Sequence, residues 1–466
     1  MENIKKRPFG IKDKLGYLFG DFGNDFTFIL SSSFLLKFYT DVMHVSAGIV
    51  GIVMMLARFV DAFTDVTMGR ICDRRQPSEG GKFKPWILRM CAPVAISSFL
   101  IYQSAFADSP LWFRVLWLSV TYILWGSVFY TSINIPYGSM ASSISPEPDH
   151  RQSLSTFRSV GSVLAGVVVG ALIPILAYDT RVIGGVTVEE LNGTKFTVIA
   201  GVFSILAILA YLACYYLTEE RVIPEQNDRK LPSALSLVTS SLKNRALISI
   251  IVASVIMLLS QFTFQQLANY IYPDYYSNTA AQSVSTIVML AGMLVAAIGA
   301  KPLANKFGKA EISAASNILA AATLLFLFFF RPESVWVYVG LSAFAWLGLG
   351  VFTMVSWALI TDVIDDAELR RGIREDGSIY SLYSFSRKMG QAAAAGVTGL
   401  LLTLIGYEKI PGTPLAESVK SGLYSLSTLI PAIGFIILAA VLWFWYPLHK
   451  NRVAQNVALL KEKHGD

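Results

Sequence analysis

About twelve apolar stretches of roughly 20 residues follow one another along the chain, each long enough to cross the ~30 Å hydrocarbon core of a bilayer. They are read at 15–40, 47–69, 86–106, 112–140, 155–178 and 196–217, then at 246–271, 279–299, 310–330, 335–361, 378–405 and 421–447. Few folds are open to such a chain. Inside lipid every backbone polar group must be satisfied within its own segment, so stretches of this length are helices. Composition agrees: 15% of the residues are charged, against ~25% in a soluble domain. The expected fold class is an all-α membrane protein with twelve transmembrane helices.

A charged break containing Glu219, Glu220, Arg221, Pro224, Asp228, Arg229, Lys230 and Pro232 splits the pattern six plus six. This is the layout of transporters built from two repeated halves. The expected division is a six-helix bundle over 1–217, a linker over 218–245, a second bundle over 246–447 and a tail over 448–466. Roughly 25 Lys and Arg fall in loops on the side of the N-terminus and about half a dozen on the other, so both termini and the linker are expected to be cytoplasmic. Basic loops at 69–86 and 299–309 hold equivalent places in the two halves. The connection 361–377 reads as a solvated loop, and the tail from His449 to Asp466 as a solvated basic end. The apolar run after the basic N-terminus is too long for a secretory signal and lacks a small-residue cleavage site. Cys72, Cys91 and Cys214 have neither metal-ligand nor redox spacing, so no disulfide and no metal centre is expected. A Walker loop, a dinucleotide fingerprint and a histidine cluster are all missing from the sequence. It does not read as an enzyme or a nucleic-acid binder, and any uphill transport must draw on an ion gradient.

Charges inside a spanning helix cost at least a few kcal/mol each unless paired or wetted, which marks them as functional candidates. The stretch ARFVDAFTDVTMG (57–69) places Arg58, Asp61 and Asp65 in one apolar run, with the two acids one turn apart on a common face. In the first helix, GDFGNDF carries Asp21, Asn24 and Asp25, and glycines at 16, 20 and 23 permit close approach of a helix or ligand. Lys37 is expected to snorkel to the far interface. The fourth helix presents Tyr130, Thr131, Asn134 and Gly138 on one face, with Pro136 freeing a carbonyl. Arg158 is a charge partner for Asp25 or for a substrate.

In the seventh helix Gln261, Gln265 and Asn269 recur every four residues. Their amides suit sugar hydroxyls or glue between helices. The eleventh carries YSLYSFSRKMGQ (380–391), which aligns Tyr380, Ser384 and Lys388 on one face and Tyr383, Arg387 and Gln391 on the next. Lys388 is expected to pair with the acids Asp61 and Asp65, and Arg387 to receive an anion, since a guanidinium grips a carboxylate with two parallel hydrogen bonds. Trp346 and Trp357 are candidate platforms for a sugar's apolar face.

With GDFGNDF, ARFVDAFTDVTMG, GKFKPWIL, NIPYGS with the later Arg158, and YSLYSFSRKMGQ together, essentially the whole chain resembles the glycoside–pentoside–hexuronide:cation symporters of the major facilitator superfamily. The resemblance implies the major facilitator fold, two six-helix bundles rocking about a midplane site. It implies cation-coupling roles for Asp61, Thr64, Asp65 and Thr131, and sugar-binding roles for Asp25, Asn134, Arg158 and Lys388. Where the melibiose permease of this family has an acid and a tryptophan in the fourth helix, this chain has Asn134 and Gly138. NIPYGS and SFSRK look closer to the glucuronide permeases. The expected substrate is therefore an anionic glycoside such as a glucuronide or hexuronide, held by Asp25, Asn134, Arg158, Gln261, Gln265, Asn269, Tyr383, Ser384, Arg387 and Lys388. A xyloside or other neutral glycoside, or a lysolipid on the same scaffold, are the alternatives. No cofactor is expected. Two carboxylates one turn apart can share one proton, and Thr64 stands where the family has an amide ligand, so the expected coupling ion is H+ rather than Na+. The partners expected are the glycoside and the bilayer of a bacterial inner membrane, with the protein working as a monomer.

Overall fold

The computed structural model describes residues 7–74, 76–77, 80–222, 244–371 and 376–464. Most of the linker lies outside the described residues, as do 372–375 of the 361–377 connection. The chain divides into two compact units, Met1–Arg229 with Gly406–Leu415, and Lys230–Ile405 with Ala416–Asp466.

The first unit starts with a rod made of α1 (Ile11–Ile29), a π-helical turn at Leu30–Phe34 and α2 (Leu35–Asp41). It continues with α3 (Ala47–Arg74) and α4 (Lys84–Ile101). A second interrupted rod follows: α5 (Leu111–Ile123), a π-helical segment at Leu124–Tyr130 and α6 (Thr131–Ile144). The last two are α7 (Pro148–Leu176) and α8 (Gly193–Leu217). Helix starts follow ordinary rules: Pro85 and Pro148 sit in the first turns of α4 and α7, where no amide donor is needed. The Asn192 side chain accepts from the Lys195 amide to cap α8.

Helix α1 packs against α7 and α8. Its glycines serve that packing. A Cβ on Gly16 would lie 2.8 Å from the Leu217 Cβ, and one on Gly23 would lie 3.2 Å from the Ala207 carbonyl oxygen. The close approach expected at these positions is thus made by neighbouring helices.

The second unit holds α9 (Arg245–Tyr270) with a π-helical turn at Ile271–Tyr275, α10 (Thr279–Phe307), α11 (Lys309–Phe330) and α12 (Val335–Arg371). After these come α13 (Asp376–Leu404), α14 (Glu417–Ala440) with a π-helical turn at Val441–Trp445, and α15 (Lys450–His464). Asn244 and Asn278 cap α9 and α10. The buried core runs through Ile250, Met257, Leu324, Leu349, Phe352 and Phe435. Large apolar side chains also face outward, among them Ile298 and Leu404, 80% and 82% exposed. A monomer in water rarely shows so much apolar surface. Among the described residues, ten helical rods are long and apolar enough to span a membrane. The rods Ile11–Asp41 and Asp376–Leu404 are more polar, and they carry several of the charges singled out above.

Several connections differ from expectation. Residues 361–371 continue α12 instead of forming a solvated loop. Asp362 receives Lys309 at 2.6 Å, and buried Asp366 pairs with Arg370 at 2.7 Å. The tail is not a free end: α15 packs on α12, with Leu460 buried and Asn456 donating to Asp366 at 3.2 Å. The expected loop at 299–309 is helical on both sides of Gly308, whose φ of 106° needs a glycine. The start of the linker is anchored, because the Glu220 carboxylate accepts the amides of Lys82, Phe83 and Lys84 at 2.7–2.9 Å. An unexpected hairpin joins α7 to α8: β1 (Tyr178–Ile183) pairs antiparallel with β2 (Val186–Leu191), Ile183 opposite Val186. Gly184 and Gly185 turn it with φ of 58° and 82°, the pattern of a type I′ turn.

Candidate functional site: the acidic face of the first unit and a stacked guanidinium in the second

Helix α3 delivers Arg58, Asp61 and Asp65 from one face, as the four-residue spacing requires. Asp61 finds its cation on its own helix: Arg58 Nη1 lies 3.2 Å from Asp61 Oδ2. The Arg58 guanidinium also stands over the rings of Phe28, Tyr122 and Trp125, at 5.1, 5.9 and 6.0 Å. Aromatic faces of this kind hold a desolvated cation where water cannot.

The π-helical segment Leu124–Tyr130 brings hydroxyls to both acids. Ser127 Oγ donates to Asp61 Oδ1 at 2.5 Å, and Thr131 Oγ1 to Asp65 Oδ1 at 2.8 Å. Thr131 also lies 3.2 Å from the Gly126 carbonyl oxygen. Gly126 itself is part of the fit, since a Cβ there would sit 3.3 Å from Asp61 Oδ1. Each hydroxyl that donates to an acid keeps lone pairs for a cation. Thr131 therefore stands where expected. Ser127 was not singled out in the sequence, although it lies one turn before Thr131. Thr64 is not brought to the acids: its hydroxyl bonds back to the Val60 and Asp61 carbonyls at 3.3 and 3.1 Å.

The first helix carries a second cluster. Arg158 Nε lies 2.9 Å from Asp21 Oδ1, with its guanidinium 5.4 Å from the Tyr137 ring centroid. Asp21, not Asp25, is thus the partner of Arg158. Asp25 instead accepts from Ser162, one turn further along α7. Two aromatic contacts hold this geometry. Tyr17 and Tyr137 stack at 4.6 Å, and the Tyr137 hydroxyl donates to the Tyr17 carbonyl at 2.6 Å. Tyr211 donates to Asn24 Oδ1 at 2.9 Å, while Asn24 Nδ2 is buried without a hydrogen-bond acceptor among the described residues. Asn134 is half-buried, and Gly138 is exposed with Arg158 Nη1 4.0 Å from where its Cβ would be.

Lys37 does not snorkel. It is wholly buried and pairs with Asp41 at 2.7 Å. At four-residue spacing an acid can neutralise the lysine inside the protein, so the side chain has no need to reach water.

In the second unit the amide series separates. Gln261 and Gln265 are half-buried. Asn269 is buried and accepts from Gln282 Nε2 at 2.6 Å, which ties α9 to α10. Asn269 thus provides interhelical glue. Trp346 is likewise a packing residue, buried and stacked on Phe264 at 4.8 Å. Trp357 is different. It stacks on Tyr380 at 5.0 Å, and Arg387 lies over it at 5.3 Å and over Tyr383 at 5.8 Å. Arg387 Nη1 is buried with no hydrogen-bond acceptor among the described residues, and so is the hydroxyl of fully buried Tyr383. Ser384 is half-buried beside them.

A family model described as MFS/sugar transport protein matches residues 16–450. The chain belongs to that family. It is a multi-pass membrane transporter of the major facilitator type and not an enzyme. Among curated relatives it is similar to the glucuronide carrier protein homolog of Escherichia coli, 30% identical over 447 residues that span 95% of this chain and 94% of the relative. It is similar also to the isoprimeverose transporter of Lactiplantibacillus pentosus, 28% identical over 464 residues, or 99% and 93% of the two chains. Among solved structures the nucleoside transporter NupG superposes with a TM-score of 0.66 at 13% identity, covering 93% of this chain and 100% of that one. That likeness concerns the fold alone.

Proposed function

We propose that this sugar transporter is a cation-coupled symporter that imports an acidic glycoside, such as a glucuronide or another hexuronide, by alternating access. The observation that carries the reading is Arg387. Its guanidinium is stacked on Trp357 and Tyr383 and keeps a buried Nη1 with no acceptor among the described residues. A buried donor left unmade costs ~1–3 kcal/mol, and a carboxylate on the transported sugar would satisfy it while the neighbouring aromatic faces meet the pyranose ring. The similarity to the glucuronide carrier protein homolog of E. coli supports the same class.

Coupling is assigned to the α3 acids. Both carboxylates take hydroxyl hydrogen bonds, Asp61 from Ser127 and Asp65 from Thr131, and these oxygens together suit a small monovalent cation. The proton is the favoured ion. The excess of Lys and Arg in the loops on the side of the N-terminus supports cytoplasmic termini in an inner membrane, with one chain as the working unit.

The test is uptake into proteoliposomes of a glucuronide, a xyloside and a galactoside, each under an imposed proton or sodium gradient. Glucuronide accumulation driven by the proton gradient is expected. Arg387→Gln should lower the preference for the glucuronide over the neutral glycosides by about 10-fold or more, the worth of one hydrogen bond to a charged group. Equal uptake of the three sugars by the unmodified protein, or an unchanged preference in Arg387→Gln, would overturn the assignment of substrate.

A further inference from the structure

The short connection between α13 and α14 behaves unlike its flanking helices. Residues Gly406–Leu415 group with the first unit, while the helices that precede and follow them group with the second. The segment is held by three polar attachments. The Tyr407 hydroxyl accepts from Lys37 Nζ and donates to Asp41 Oδ1, both at 2.9 Å. The Gly412 amide donates to Glu190 Oε1 at 2.6 Å, and Lys409 Nζ reaches the Glu189 carbonyl at 3.4 Å. Tyr407 and Lys409 are buried, 6% and 5% exposed. The strap has a definite shape: Ile410, Pro411, Gly412 and Thr413 form a turn closed by a 3.1 Å bond, with Pro and a positive-φ Gly at the places a type II turn requires. Gly406, at φ 71°, sets its entry.

We propose that this strap is a releasable latch, held on the first unit by the Lys37–Asp41–Tyr407 node and detached when the transporter opens on the side opposite its termini. The chemistry of the node suits release. Lys37 and Asp41 lie on the same helix and neutralise each other at 2.7 Å, and Thr40 adds a hydroxyl to Asp41 at 2.9 Å. What leaves the Lys37–Asp41 node is a neutral phenol, and the two charges of the node stay paired with each other. The attachment at Gly412 follows the same logic, since its neutral amide departs from a Glu190 side chain that already has Arg181 at 3.4 Å. A strap that exchanges this attached arrangement for a released one is the kind of element that couples a local contact to a larger transition. It does not depend on which sugar is carried.

The full chain in lipid nanodiscs tests this without any substrate. Spin labels at Thr413→Cys in the strap and Val186→Cys at the hairpin tip report their separation; both positions are exposed, and the three native cysteines are buried and can remain. The unmodified strap should give mainly one short distance. Tyr407→Phe keeps the ring and removes only the hydroxyl, and should raise the fraction at longer distance by about 10-fold. Glu190→Ala should act in the same direction and serves as the second probe should Tyr407→Phe fail to fold. Combined with Tyr407→Phe it should raise that fraction further. Distance distributions indistinguishable from the unmodified protein in these variants would overturn the latch.

Discussion

Gly161→Ala is a sharp test of the Asp21–Arg158 cluster, because the perturbation is one methyl group and its collision can be worked out. Gly161 lies on α7 between Arg158 and Ser162, the residues that engage Asp21 and Asp25. A Cβ at Gly161 would stand 2.4 Å from the Leu18 carbonyl oxygen of α1. Carbon and carbonyl oxygen come no closer than about 3.3 Å, so the helices must part by roughly 1 Å at this crossing. The obstacle is backbone and has no rotamer to change. The same displacement would lengthen the 2.9 Å Arg158–Asp21 bond to about 3.9 Å, outside hydrogen-bonding range. Overpacking of this kind costs ~1–3 kcal/mol of stability. A lost hydrogen bond to a charged group costs a further ~1.5–3 kcal/mol, equivalent to a fall in uptake of about 10-fold to 100-fold. Sugar uptake in proteoliposomes and thermal unfolding in detergent read the two effects. Gly166→Ala on the same helix is the control, since its Cβ would meet only Ile29 Cδ1 at 3.8 Å. Wild-type uptake by Gly161→Ala would refute the claim that this crossing sets the Asp21–Arg158 geometry.

Asp65→Asn keeps an oxygen for Thr131 but cannot carry a cation's charge, so uphill accumulation should be lost while exchange across the membrane persists. Full gradient-driven accumulation by the variant would place coupling elsewhere. Gly126→Ala should weaken cation-driven uptake more than exchange, because a Cβ would stand 3.3 Å from Asp61 Oδ1 and disturb its bond to Ser127. Asp13 is fully buried and receives Arg221 at 2.9 Å and Arg7 at 3.2 Å. Asp13→Asn should therefore destabilise the protein by about 3 kcal/mol, the lower end for breaking a buried pair, read as a fall in thermal midpoint with Asp149→Asn as control. Hydrogen bonds from Asn192 and Lys195 hold the Asp179 carboxyl below its ordinary range. Its contribution to the hairpin is thus present above the unfolded value of about 3.9 and fades as pH falls through the lower folded value. Hydrogen exchange across Tyr178–Leu191 should speed up on acidification in this window, and less so in Asp179→Asn.

Local pattern carried much of this protein. Hydrophobic stretches longer than a bilayer is thick imply helices whatever surrounds them. Charges and amides at four-residue spacing must share a face, which is why Asp61 with Asp65 and Arg387 with Tyr383 could be found from the sequence. The family motifs span the chain and led to the same transporter class as the comparisons. What the sequence left open was which polar group meets which. Arg158 takes Asp21 and leaves Asp25 to Ser162; Asp61 is served by Arg58; Lys37 is buried against Asp41; Thr64 turns back on its own helix. Such pairings depend on the rotation and depth of one helix against another, and hydropathy contains neither. The π-helical segment at Leu124–Tyr130 shows the reason most directly. One residue beyond α-helical register turns everything after it by about 100°. No wheel drawn with a constant 3.6-residue period therefore places both Ser127 and Thr131 correctly against the acids of α3. Only packing, with no Cβ at Gly126 to crowd the Asp61 carboxylate, decides that arrangement.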